Sequence, residues 1–493
     1  MPLSFWTLVE AAKEVGGKAE ILPTIIDLAR AKLTCSNVID GNYPNFSAEA
    51  QLAVVDVRLM LHYEPRREAV HILQEELVAS HMRIAYSVPK HREYIRSGYP
   101  SEPVIAEAAA QQMFAFRTSA GANTTLQTLV HNINGGLLDR GELGELAGRA
   151  LLTAAYDRAV ERDHPRKDPM TPPLYSQGCS VITFIEELFE ECHAKKILDS
   201  RPDNVVGGKP LRNALKGAII AFTHFGKMAD DTGTTSDAAF AAFLRHMAII
   251  CRSGEKTIDC LLPILLWDEL LCEAVMSSIL IQFKRRKMKG TRAKYAIKQE
   301  DVGFFPKGQD GRAAERCYLT WVLELGVQNS PPSLANTPVK VRDRLNSIEG
   351  KKALAVTPPT AKRRRTSFHL PDLSTIVLPE GPTKQSYPPA HPRYSVFVYG
   401  CSSNVYKVIA LSETTSYARF LQSRDFLGEH PRQSPHSLAL VRKLKPFWSA
   451  GAHCYHWLEN PTLRPVNAAS DVEPETIVVG NSHDSEDGEP MEE

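Results

Sequence analysis

Apolar residues in the first 130 positions recur every three to four residues, as in Phe5-Trp6-Leu8-Val9, Leu22-Ile25-Ile26 and Leu52-Val55-Leu59. That spacing predicts a mainly helical region over 1–130. Ser47, followed by Glu49 and an amphipathic run, has the chemistry of a helix N-cap. Between a helix expected over 67–80 and another opening at Ser101-Glu102-Pro103, the stretch MRIAYSVPKHREYIRSGYPS alternates about a central Pro-Lys-His and predicts a short hairpin. A long helix follows in LLDRGELGELAGRALLTAAYDRAVERD, with further helices over 180–198 and 236–246.

The pattern then shortens. AIICR, the polar turn SGEK and IDCLLPILL predict a hairpin, and SSILIQFK a second buried strand, because brief apolar runs are bounded by turn residues. AAERCYLTWVLELG, over 313–326, has the amphipathic spacing of a helix. Residues 327–392 are rich in Pro, Ser, Thr and basic residues and predict a disordered insertion. RYSVFVYG and VYKVIAL alternate as strands, and they open a C-terminal α+β segment over 393–464. Residues 465–493 read as a disordered acidic tail.

Composition narrows the function classes. The hydrophobic fraction of 43% and charged fraction of 23% are ordinary for a folded chain. Apolar runs stop well short of a membrane span, and the N-terminus carries no pattern of a secretory signal. Nine Cys without a CxxC or a paired Cys/His spacing indicate neither a disulfide framework nor a zinc site. The formal charge of +1 conceals an asymmetry: nine of the 57 acidic residues lie in the last 29, which hold no Lys or Arg, so residues 1–464 carry ten excess positive charges. Seven of those basic residues are Lys284, Arg285, Arg286, Lys287, Lys289, Arg292 and Lys294, a run suited to holding phosphates. Lys362-Arg363-Arg364-Arg365, in the Pro-rich insertion, has the form of a nuclear import signal. In the tail, ETIVVGNSHDSEDGE resembles a SUMO-interacting segment, which implies a candidate contact for a protein partner there; the short apolar runs predict no membrane partner.

Within SSILIQFK, Gln282 and Lys284 share one face of the strand while Ile281 and Phe283 take the other. Asp259 opens the preceding strand, and Glu145, with Glu142 one turn earlier, lies on the upstream helix. An Asp, then a (Glu/Gln)-x-Lys about twenty residues later, with an upstream helical Glu, resembles the PD-(D/E)xK restriction-endonuclease-like superfamily. The resemblance spans 131–326 and implies an α/β core with a small mixed sheet; with the largely helical N-terminal region read from spacing, the expected class is α+β. It implies Mg2+ or Mn2+ held by Asp259, Gln282 and Glu145, with Lys284 at the attacking water and DNA as substrate. Gln282 departs from the usual carboxylate and is a poorer ligand for a hard cation. Stretches including FTHFGKMADDTG and KPFWSAGAHCYHWLE resemble fungal Crinkler-type proteins, in which a P-loop ATPase precedes a nuclease-like domain. This chain has no GxxxxGK[ST], and the resemblance implies that it begins just after that module. Two functions follow: a metal-dependent DNA phosphodiesterase, or a catalytically inactive nucleic-acid- or protein-binding remnant. His224, near Asp230 and Asp231, is a weaker candidate for metal or acid/base work than for a core role. The helix, helix, hairpin order of the first 100 residues resembles a winged helix, and a helical bundle with an irregular connector is the alternative.

Overall fold

A computed structural model describes residues 21–36, 46–65, 67–88, 90, 95–118, 124–139, 141–168, 171–227, 234–252, 257–266, 272, 275–285, 297–305, 316–326, 374–379 and 391–421. The N-terminal part is helical: α1 Ile21–Thr34, α2 Ala48–Leu59 and α3 Glu68–Ser80. Ser47 caps α2, its hydroxyl accepting from the Ala50 amide at 3.0 Å. The hairpin of β1 Ile84–Ser87 and β2 Arg96–Gly98 follows, antiparallel with a bulge at Tyr86. Then come α4 Pro103–Thr118, α5 Thr125–Asn134 and the 21-residue α6 Leu143–Asp163.

Nearly every face of α6 is buried, which makes it the helix around which the others and the sheet pack. A buried ion pair fixes its place. Arg58 at the end of α2 forms two 2.8 Å hydrogen bonds to Asp157 of α6, and its Nε donates to the Thr223 carbonyl at 2.7 Å. Both charges are out of water, so pairing and backbone bonding together have to offset their desolvation.

The remaining elements are β3 Cys179–Ser180, α7 Val181–Leu188, α8 Glu191–Asp199, α9 Leu211–Ala214, β4 Ile219–Ile220, β5 His224–Lys227, α10 Ser236–Leu244, β6 Met247–Ile250, β7 Cys260–Leu265, β8 Met276–Lys284, α11 Gln299–Val302, β9 Tyr318–Glu324, β10 Thr375–Val377, β11 Arg393–Tyr399 and α12 Thr414–Leu421. One mixed sheet runs β10-β11-β9-β8-β7-β4-β3, and β6, carrying β5, pairs with the same edge of β7 as β4. β7 is antiparallel to β6 and β8, while β8, β9 and β11 are mutually parallel. β5, β6, β8, β9 and β11 therefore all end at one end of the sheet. The fold is α+β.

Alternation along the strands assigns the two sheet faces. Cys260, Leu262, Ile279, Ile281, Phe283, Trp321 and Val396 point toward α6 and α7. Leu261, Leu280, Tyr318, Val322 and Phe397 point to the other face, under α10. Two expectations are corrected. Residues 318–324 form strand β9, not a helix, because a strand covered on both faces is apolar throughout and loses its period of two. VYKVIAL is a series of turns in which Tyr406 makes one isolated bridge to Phe189, and its apolar residues are buried by packing rather than by pairing. β11 joins β9 in parallel, so the segment after the insertion adds a strand to this sheet. The 286–294 basic run, residues 362–365, KPFWSAGAHCYHWLE and the tail lie outside the described residues.

Candidate nucleic-acid interface

The end of the sheet where β5, β6 and β8 finish collects charge. Lys227 closes β5, Arg252 follows β6, and Lys284 closes β8 with Arg285 next. Each lies at or just beyond the end of a strand of the same direction, so topology brings the four cations to one end of the sheet. The chain then continues from Arg285 into Arg286, Lys287, Lys289, Arg292 and Lys294.

Asp259 ties this end together through the backbone. Its amide donates to Ile281 O at 2.8 Å, its carbonyl accepts from Cys251 N at 3.0 Å, and Oδ2 accepts from Phe283 N at 2.6 Å. One carboxylate oxygen is thus used where a strand carbonyl would otherwise sit. The start of α6 lies alongside, because Gly144 and Gly148 leave room for the β8 side chains. A Cβ on Gly148 would come within 2.0 Å of Phe283, and one on Gly144 within 3.1 Å of Arg285. The segment before α6 is held by Glu64 N to Leu137 O at 2.9 Å and Asp139 N to His62 O at 2.8 Å, which brings the His62 ring against the Glu142 carboxylate.

Glu145 and Asp259 are near enough for their charges to interact. Burial, and then the Asp259 carboxylate, push the Glu145 carboxyl above its usual range. Burial alone would do the same to Glu142, but the hydrogen bond and charge of His62, followed by Arg149 and Lys227, outweigh it and hold Glu142 low. Arg149 is buried among these carboxylates, with Nη2 3.9 Å from Glu142 Oε2 and, among the described residues, no hydrogen bond to its guanidinium. Burial lowers its proton affinity, and Glu142 and Glu145 oppose that.

Gln282 and Lys284 are placed elsewhere. Phe283 lies against α6, so its strand neighbours Gln282 and Lys284 take the α10 face, where Gln282 is buried and Lys284 is the register neighbour of Glu324. The (Gln)-x-Lys pair therefore lies on the face of the sheet away from α6, the helix that carries Glu145.

A hard divalent ion needs several oxygen ligands at once. Here one Asp259 oxygen serves the Phe283 amide, Gln282 faces away from Glu145, and the Arg149 guanidinium already supplies a buried positive charge beside Glu142 and Glu145. Among the described residues no three His, Cys, Asp or Glu side chains are grouped to hold a metal. Among the described residues, these side chains do not make a donor set for Mg2+ or Mn2+.

His224 belongs to the core. It is buried, with Nε2 2.7 Å from Ser101 Oγ and Nδ1 3.1 Å from Thr223 Oγ1. Sequence reasoning missed His62, Arg149 and Lys227. Arg149 sits in an ordinary helical pattern, and the only sequence signal was that three charged residues, Glu142, Glu145 and Arg149, fall at three- and four-residue spacing on one helical face.

No helix among the described residues is long and apolar enough to cross a membrane. No curated protein matches the chain, and no solved structure does. Residues 49–301 match a family model described as a domain of unknown function, DUF8736. That span runs from α2 to α11 and contains His62, Glu142, Glu145, Arg149, Lys227, Asp259, Lys284 and Arg285. Because it covers half of the sequence and the whole charged end of the sheet, the chain belongs to the DUF8736 family.

Proposed function

We propose that the chain binds nucleic acid through its charged sheet end without metal-dependent cleavage, a binding module on a restriction-endonuclease-like layout. The observation that carries this reading is the collection of Lys227, Arg252, Lys284 and Arg285 at the shared end of co-directional strands, extended in sequence by five more basic residues. Cations at that density neutralise successive phosphates and release counterions, which gives sequence-independent, salt-sensitive affinity. Arg149 takes the part that a metal would otherwise play, balancing Glu142 and Glu145. DNA is the expected polymer, and Lys362 to Arg365 supply the import signal that access to it in a nucleus would need. The acidic tail is a candidate site for a protein partner.

The test is fluorescence anisotropy of a labelled duplex across a salt series. The variant Lys227→Glu/Lys284→Glu/Arg285→Glu should bind more weakly at low salt, and the slope of log K against log salt should shrink by about one for each phosphate that the variant no longer neutralises. Equal affinity and slope in variant and wild type would remove the sheet end from the interface.

One observation favours a second reading, a metal-dependent phosphodiesterase: Glu145 and Asp259 approach closely enough for one carboxylate to raise the proton affinity of the other. In that case a divalent ion would have to draw Asp259 away from Phe283 N. Cleavage of DNA by wild type, abolished in Asp259→Ala, would support it.

A further inference from the structure

The β1–β2 hairpin carries an aromatic ring that the core does not use. Tyr86 is 60% exposed, and it sits at the bulge where Ala85 pairs with Ser97 and Ser87 with Arg96. Its ring lies across Gly98: a Cβ there would meet Cε2 at 2.9 Å and the hydroxyl at 3.2 Å. A side chain at position 98 would push the Tyr86 ring aside. The ring thus packs beside the neighbouring strand while the side chain as a whole stays largely in water.

The hairpin is anchored rather than loose. Arg83, at the foot of β1, is paired with Asp56 of α2 and donates from Nε to Ser97 Oγ and from Nη2 to Ser97 O, both at 2.9 Å. It also lies over the rings of Tyr63 and Tyr99, at 4.9 and 5.5 Å from their centroids. Ile84, the register partner of Gly98, is 46% exposed, and Val88 beyond the bulge is 56% exposed. An apolar ridge therefore stands on a rigid support.

Charge selects its occupant. Lys90 and Arg96 of the same hairpin segment are exposed. A ridge meant for a neutral apolar partner would gain nothing from those cations. A polyanion with unstacked flat faces uses both features, the cations for phosphates and the ring for a base. Bases in a duplex are stacked on one another and cannot reach the ring, so the ligand is single-stranded.

We propose that the β1–β2 hairpin is a single-strand contact in which an unstacked base lies on Tyr86 while Lys90 and Arg96 hold the flanking phosphates. This deepens the nucleic-acid reading given above by naming the form of the ligand, and it rests on that reading only for the class of polymer.

The test uses the full chain and an oligothymidylate carrying one 2-aminopurine, whose fluorescence is quenched by stacking. Wild type should quench it on binding. Tyr86→Ala should lose the quench and weaken binding by at least about fivefold, the lower bound for one base–aromatic stack, and Tyr86→Trp should keep both. Gly98→Ala, which displaces the ring without removing it, should reduce the quench. Quenching and affinity unchanged in Tyr86→Ala would overturn the proposal. So would a Tyr86-dependent self-association without any oligonucleotide effect, which would assign the ridge to protein. The charge-reversed Lys227→Glu/Lys284→Glu/Arg285→Glu chain separates the two readings. If it binds like wild type while Tyr86→Ala does not, the sheet-end interface fails and the hairpin stands.

Discussion

His224 and His246 share a buried polar corner in which Thr223 Oγ1 bonds both His224 Nδ1 and the His246 carbonyl. Burial, then the nearby Arg245, His246 and Arg58 charges, bring His224 down to about 3, and burial brings His246 down to about 4. The unfolded chain takes up these protons near pH 6.5 and the native chain does not. Their contribution to stability is therefore complete above about pH 6.5 and is lost as pH falls toward 4, at up to about 1.4 kcal/mol per pH unit for each histidine. Urea unfolding at pH 7, 6 and 5 should show this slope, and it should flatten in His224→Gln/His246→Gln. A slope that the substitutions leave unchanged would place the titrating groups elsewhere. The core role of His224 was partly legible, since no second ligand stood at a metal spacing. Arg149 was not, because nothing in GELGELAGRALL distinguishes a buried guanidinium from a solvated one until α6 is seen to be covered on every side.

The contact between α6 and β8 decides which charged groups meet. Phe283 fills the space above Gly148, and this sets the height of Glu145 relative to Asp259. Gly148→Ala puts a methyl group 2.0 Å from Phe283 Cε1, and overpacking of this kind should cost about 1–3 kcal/mol in urea denaturation. Adding Phe283→Leu should recover part of the loss. A Gly148→Ala protein as stable as wild type would mean that the helix does not rest on the strand at this point. Much of the element order can be read directly. The β6–β7 hairpin, β8, the long helix and the Ser47 cap follow from period and turn chemistry. Strand alternation also places Gln282 and Lys284 on one face and Ile281 and Phe283 on the other. Which of those faces α6 covers is a tertiary fact, and it separates Gln282 and Lys284 from Glu145. β3, β4 and β5 are two to four residues long and carry no periodicity to read. β9 reads as a helix from sequence because both its faces are apolar.

Across the whole molecule the charge is divided between a basic body and an acidic last stretch, although the formal sum is only +1. The described body puts part of its excess at two places: the ends of β5, β6 and β8, and the β1–β2 hairpin. On the proposed reading both places meet a phosphate backbone, while Glu142 lies against Arg149 and His62 within the protein. On that reading binding is separable from cleavage. The most direct test incubates wild-type protein with end-labelled DNA, single- and double-stranded, in EDTA, Mg2+ or Mn2+ at matched ionic strength, and reads retention and strand length from the same samples. The prediction is equal retention in all three conditions with strands intact. Metal-dependent strand cleavage that Glu145→Gln and Asp259→Asn both abolish would contradict it.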